Sequence, residues 1–146
     1  MQGLVAHYLA MPPVAALQPA VEHWGDGHLR LRAPLAVNVN DKGCAFGGSL
    51  GSLMTLAAWG LVYLELAQQG IDADIFVADS RVRYLKPVFE DLQVDAGFDD
   101  AGERAALLEI LRKQGRASIR LQARTLLTDG GVAATFVGRY VAIVRG

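Results

Sequence analysis

With 146 residues, 52% of them hydrophobic and 20% charged, the chain has the composition of a folded globular protein, which excludes a disordered segment and suits one domain over 1–146. A formal net charge of -1 excludes an overall field drawing it to nucleic acid or to an anionic membrane. Cys44 is the only cysteine, which excludes an internal disulfide and a cysteine-based zinc site and fits a reducing cytoplasm.

Residues 3–10 read as a short helix stopped by Pro12 and Pro13, and the N-terminus lacks the basic-then-apolar pattern of a signal peptide. Segments 21–24 and 28–33 read as two strands around the turn Gly25-Asp26-Gly27. In the second, Leu29 and Leu31 alternate with Arg30 and Arg32, so one face is dry and the other wet. A polar irregular stretch over 37–43 leads into a helix over about 48–69, closed by Gly70.

That helix carries no charge between Lys42 and Glu65, about the length of a bilayer span, roughly 20 residues. A helix apolar on all sides is also what a sheet can enclose. Gly51, Ser52, Thr55 and Gly60 within it, and the strand-like character of the remaining chain, favour the enclosed helix. Glu65 marks the point where the helix is expected to leave the core.

Strands are then expected over 75–85, ended by Pro87, and over 92–98. A helix over 101–114 follows, with Leu107, Leu108 and Leu111 at helical spacing and Gly115 as its stop. Two long strands, 116–127 and 132–144, close the chain around the hairpin turn Asp129-Gly130-Gly131. Hairpin joins predict a largely antiparallel sheet, and the whole pattern an α+β fold.

The run Asn40-Asp41-Lys42-Gly43-Cys44-Ala45-Phe46-Gly47-Gly48-Ser49-Leu50 resembles the loop-to-helix junction of hotdog-fold thioesterases. Val82-Arg83-Tyr84-Leu85-Lys86-Pro87-Val88 resembles the strand that follows the helix in the same superfamily. Ala45 to Ser49, with Trp59-Gly60, is similar to a bacterial thioesterase-like family whose domain is also found fused behind an acetyltransferase-like domain. The resemblance runs from about His28 to Val144. It implies a hotdog fold, a long central helix wrapped by a five- to six-stranded antiparallel sheet. It also implies an acyl-thioester hydrolase acting on acyl-CoA or acyl carrier protein at a dimer interface, with dimers able to pair further.

At a helix N-terminus the amides of Gly47 and Gly48 point outward with the positive end of the helix dipole. Charge develops on the carbonyl oxygen as a thioester is cleaved, and losing one donor at such an oxygen typically costs about 3 kcal/mol. The other reading is that these glycines only permit tight helix–sheet packing while Asn40 caps the helix. On the catalytic reading Asn40 positions water or carbonyl, Thr55 assists through its hydroxyl, Phe46 stands at the pocket mouth, and Ser49 and Ser80 contact substrate or water.

Many related thioesterases carry a helix carboxylate where this chain has Thr55 and a histidine where it has Phe46, so both usual proton acceptors are replaced. Asp79 is the candidate base, acting on a neighbouring subunit's site, or else a strand carboxylate paired with Arg81 or Arg83. Asp41 reads as a turn residue, Cys44 as a small apolar residue rather than a nucleophile, and His7, His23 and His28 as surface or strand-end histidines, with an approach of His23 or His28 to the acyl pocket as the second reading. Arg81 and Arg83, and Arg120 and Arg124, read as solvated strand faces, with phosphate or carrier-protein binding as the second reading. No metal or organic cofactor is implied; coenzyme A or phosphopantetheine arrives with the substrate. A hotdog dehydratase and a non-catalytic acyl-binding module are the rival functions, the first disfavoured by Phe46 and Thr55.

Overall fold

The computed structural model describes residues 2–146. The chain opens with α1 (Gln2–Leu9), after which Pro12 and Pro13 do more than stop a helix: they begin a second one, α2 (Pro12–Ala15). At the first helical positions the missing N–H of proline has no bond to lose and its φ is already helical. β1 (Ala20–Gly25) and β2 (His28–Ala33) form the expected hairpin, with Asp26 and Gly27 both at positive φ as its tight turn requires.

α3 (Gly47–Gln68) begins one residue earlier than its expected start, and Gly70 at φ 71° turns the chain away beyond it. β3 (Ala73–Tyr84), β4 (Leu92–Phe98), α4 (Ala101–Gln114), β5 (Arg116–Leu126) and β6 (Val132–Val144) complete the chain. The six strands form one antiparallel sheet in the order β1-β2-β4-β5-β6-β3. This is the α+β hotdog arrangement, with α3 lying across one face against every strand from β2 to β3.

Enclosure explains the charge-free helix. Leu53, Met54, Ala57, Ala58, Leu61 and Val62 have no exposed surface. α3 is long and apolar enough to cross a bilayer, but here its apolar surface is mostly taken up by the sheet. Gly60 makes the approach possible, since a Cβ there would run into Tyr8 and Leu29. Two buried phenols pin the helix midpoint: Tyr8 donates to the Leu56 carbonyl at 2.6 Å and Tyr140 to that of Thr55 at 2.7 Å. Burial pushes both hydroxyls far above the ordinary phenol range, so both remain neutral donors.

Glu65 departs from its expectation. It does not leave the core but is 3% exposed, with Arg104 of α4 donating to its carboxylate at 2.6 Å. A charge can sit there because α4 brings a guanidinium over the C-terminal half of α3.

β3 is an edge strand and is exposed along most of its length. Its register with β6 shifts between Val77 and Asp79. Before the shift Ile75 and Val77 lie opposite the buried Ala142 and Tyr140; after it Asp79 lies opposite Arg139. The bulge therefore exchanges the two faces of the strand, turning Asp79, Arg81 and Arg83 outward and Val82 and Tyr84 toward α3.

Candidate active site

The loop before α3 is tied down at each step. The buried Asn38 donates through Nδ2 to the carbonyls of Pro34 and Leu17, at 2.8 and 3.0 Å, and its own carbonyl accepts from Phe46 at 2.7 Å. Ala45 donates to the Val88 carbonyl at 2.8 Å. The Asn40 carboxamide oxygen accepts from the amides of Lys42 and Cys44, at 2.8 and 3.2 Å, around Gly43 at φ 83°. Asn40 thus organises its own turn rather than capping the helix or facing a substrate, and Cys44 is buried beneath it.

This loop delivers Phe46 as the residue before the helix. No side chain caps the helix start, and the first bonds back to Phe46 come from Ser49 and Leu50, at 2.9 and 3.2 Å. Among the described residues, the amides of Gly47 and Gly48 have no acceptor. The Phe46 ring, 57% exposed, lies across Gly48 so closely that a Cβ at 48 would overlap it. On the other side the Tyr84 ring stands 3.4 Å from where a Cβ of Gly47 would be, and its hydroxyl donates to the Gly47 carbonyl at 2.9 Å.

A groove runs along α3 from this point. Its first part, about 460 Å³, is lined by Gly48, Gly51, Ser52, Thr55, Leu56 and Val82. Thr55 and Leu56 are shared with a second part of about 440 Å³ that continues past Trp59 and Tyr63. Positions 48, 51, 52, 55, 59 and 63 are one helical face, so the groove follows from the repeat of α3 itself. Trp59 and Tyr63 are stacked with centroids 5.3 Å apart, and the Trp59 indole donates to the Ile75 carbonyl at 3.0 Å. His7 of α1 packs on both rings. At the far end Arg145 joins Asp72 and Asp74, at 2.9 and 2.8 Å.

The expected site residues divide. Gly48 and Thr55 line the groove, the Phe46 ring lies over Gly48, and Gly47 lines a separate hollow of about 290 Å³ beside Tyr84. The Thr55 hydroxyl donates to the Gly51 carbonyl at 2.7 Å, which leaves its oxygen able only to accept. Ser49 is buried on the core side of α3, and the serine that lines the groove is Ser52. Asp79 stands on the outer face of the sheet, 65% exposed, accepting from Arg139 at 2.9 Å, and Ser80 lies beside it on the same edge strand. Neither joins the glycines. Trp59, Tyr63 and His7 belong to the groove, and Tyr84 to the hollow beside Gly47, without having been singled out for it. For Trp59 and Tyr63 the helical spacing from Thr55 was the available signal, and Trp59 and Tyr84 stand in the runs that carry the family resemblance; for His7 there was none.

Two unpaired amides at the positive end of a helix, opening onto an apolar groove, suit a group that is apolar along its length and gains negative charge at one oxygen. Comparison with known proteins gives the family and the general class of reaction. The model of the family described as "Putative thioesterase (yiiD_Cterm)" matches residues 6–144. The crystal structure of the "putative thioesterase" from Shewanella oneidensis is 31% identical, covers 98% of this chain and 99% of its own, and superposes with a TM-score of 0.84. A protein of unknown function from Chlorobaculum tepidum is 26% identical over 99% of this chain and 94% of its own, with a TM-score of 0.91. A thioesterase from Haemophilus influenzae, 13% identical over 96% of this chain and 88% of its own, shares the fold with a TM-score of 0.76. The chain belongs to the yiiD C-terminal thioesterase family, and its enzymatic class is that of a thioester hydrolase.

Proposed function

We propose that this protein hydrolyses acyl thioesters of coenzyme A or acyl carrier protein at the N-terminus of α3, as a homodimer in the cytoplasm. The observation that carries this reading is the pair of Gly47 and Gly48 amides without protein acceptors at the start of α3, where Gly48 lines an apolar groove. The carbonyl oxygen lies on these amides and the acyl chain runs past Thr55 toward Trp59 and Tyr63. Water adds to the carbonyl carbon, the C=O electron pair moves to the oxygen, and the amides hold the oxyanion without reorganising. Collapse re-forms the C=O bond and expels the thiolate, which takes up the proton lost by the water. No metal or organic cofactor takes part; coenzyme A or phosphopantetheine enters as the leaving group.

Two features support a dimer. The twelve residues of β3 form an edge with unpaired backbone groups and with Phe76, Val77 and Tyr84 exposed, a surface that normally calls for a partner strand. Among the described residues no carboxylate lines the groove near Gly48, so the proton acceptor comes from across the interface. A continued sheet keeps outward residues outward, which argues against Asp79 of either subunit as that acceptor.

The same lack of a nearby carboxylate supports the second reading, an acyl-binding module without turnover. Purified protein supplied with acyl-CoAs of graded chain length separates the two. Multiple turnovers of free thiol release, lost in a Gly48→Ala variant that still folds, are expected. Binding at one equivalent with no thiol released rejects the hydrolase.

A further inference from the structure

The outer face of the sheet carries a concentration of positive charge that the thioester site does not use. β5, β6 and β3 are neighbours, and their registers place Arg120 opposite Arg139 and Arg139 opposite Asp79. One step along, Gln122, Val137 and Arg81 form the next row, and Arg124, Thr135 and Arg83 the one after. All of these face away from α3, because the residues between them on β5 and β6 are the buried ones. Among the described residues only Arg139 of these five arginines has an ion-pair partner, Asp79 at 2.9 Å. Arg81, Arg83, Arg120 and Arg124 have none.

Like charges directly opposite each other on adjacent strands destabilise a sheet. Asp79 offsets Arg139 alone, so Arg120 is set against a like charge with no carboxylate of its own within ion-pair distance among the described residues. The side chains do not lie flat on a featureless surface. Arg81, Arg120 and Arg139, with Asp79 and Val137, line a cleft of about 470 Å³. The guanidinium group presents a planar fork of N–H donors that matches the oxygens of a phosphoryl group in pairs. A walled cleft with Val137 among its lining residues suits a compact ligand better than an extended polyanion.

We propose that the Arg81–Arg120–Arg139 cleft on the outer face of the sheet binds the phosphoryl groups of a small ligand. The site is separate from the glycine amides and does not depend on the thioesterase reading. Two sources carry this chemistry, the nucleotide end of a coenzyme A molecule and a free phosphate or diphosphate.

Isothermal titration of the full chain at low salt tests the proposal with three probes: inorganic pyrophosphate, adenosine 3′,5′-bisphosphate and free coenzyme A. Saturable binding of at least one probe is expected, weakened at least about tenfold in Arg81→Gln and in Arg120→Gln. Asp79→Asn removes the one carboxylate of the cleft and is expected to tighten binding severalfold, an opposite sign that mere loss of folding would not produce. Pyrophosphate binding as well as the bisphosphate identifies the phosphates alone as the ligand; preference for the bisphosphate and coenzyme A identifies the nucleotide. Arg120→Gln is also expected to raise Tm at low salt by relieving the Arg120–Arg139 opposition. The proposal is overturned if no probe binds the native chain, if the arginine variants bind as tightly as the native chain, or if a single-stranded RNA oligomer binds through these arginines while the small probes do not.

Discussion

The hydroxyl of Tyr84, on the edge strand, donates to the carbonyl of Gly47 at 2.9 Å, joining β3 to the first residue of α3. The peptide unit it holds runs from the Gly47 carbonyl to the Gly48 amide, so the strand sets the direction of one of the two donors proposed to meet the substrate. Tyr84→Phe keeps the ring against Gly47 and removes only this bond. Because Tyr84 is 57% exposed, stability should change by no more than about 1 kcal/mol. Turnover should fall severalfold, mainly in kcat, and steady-state kinetics beside urea unfolding would show whether the two effects part in this way.

Gly48 has a different constraint. A Cβ at this position would overlap the Phe46 ring, so Gly48→Ala drives the ring off position 48 and sets a methyl group beside the amide, crowding the place proposed for the carbonyl oxygen. Loss of one well-placed donor corresponds to about 3 kcal/mol, or roughly a hundredfold in kcat. The double variant Gly48→Ala with Phe46→Ala removes the overlap and should regain part of that rate. A double variant no faster than Gly48→Ala would show that the ring is not the cause.

Glu65 and Arg104 are the buried exception in an otherwise apolar helix, bonded at 2.6 Å. Arg104→Met would leave a carboxylate with 4% of its side chain exposed and no counter-charge. Since Arg104 itself is 40% exposed and water can partly replace it, a loss of about 2–3 kcal/mol is expected. Combining it with Glu65→Leu should recover most of the difference, giving a coupling energy measurable in a double-mutant cycle by urea denaturation.

The buried phenols predict the alkaline limit of stability. Tyr8 and Tyr140 have their ionisation pushed well above the ordinary value near 10, chiefly by burial. A group raised in the folded state stabilises the fold fully below its unfolded value, and this is lost as pH climbs from there toward the folded value. Above about pH 10 the unfolded chain therefore releases two protons that the folded chain keeps, and stability should fall by about 2.7 kcal/mol per pH unit. Tyr140→Phe should halve that slope while costing about 1 kcal/mol at neutral pH for the bond to Thr55. Urea unfolding between pH 9 and 11 in both proteins reads the two slopes.

Local patterning carried much of the architecture. A charge-free run ended by Gly70, alternating Leu and Arg in β2, and glycine turns at 25–27 and 129–131 each depend on nearby residues alone, and each reappears in the structure. Gly47 and Gly48 were legible as a helix start for the same reason. Tertiary structure decided what depends on a distant partner or on the parity of a strand. Counted by alternation from Ile75, Asp79 would share the helix-facing side with Val77; the bulge between them turns it out toward Arg139, 60 residues away. Glu65 is buried because Arg104, 39 residues on, covers it, and His7 lines the groove because α1 folds back over Trp59. Turns and helices are written in neighbouring residues, whereas the face a side chain takes and the charge it meets are properties of strands and helices brought together from far apart.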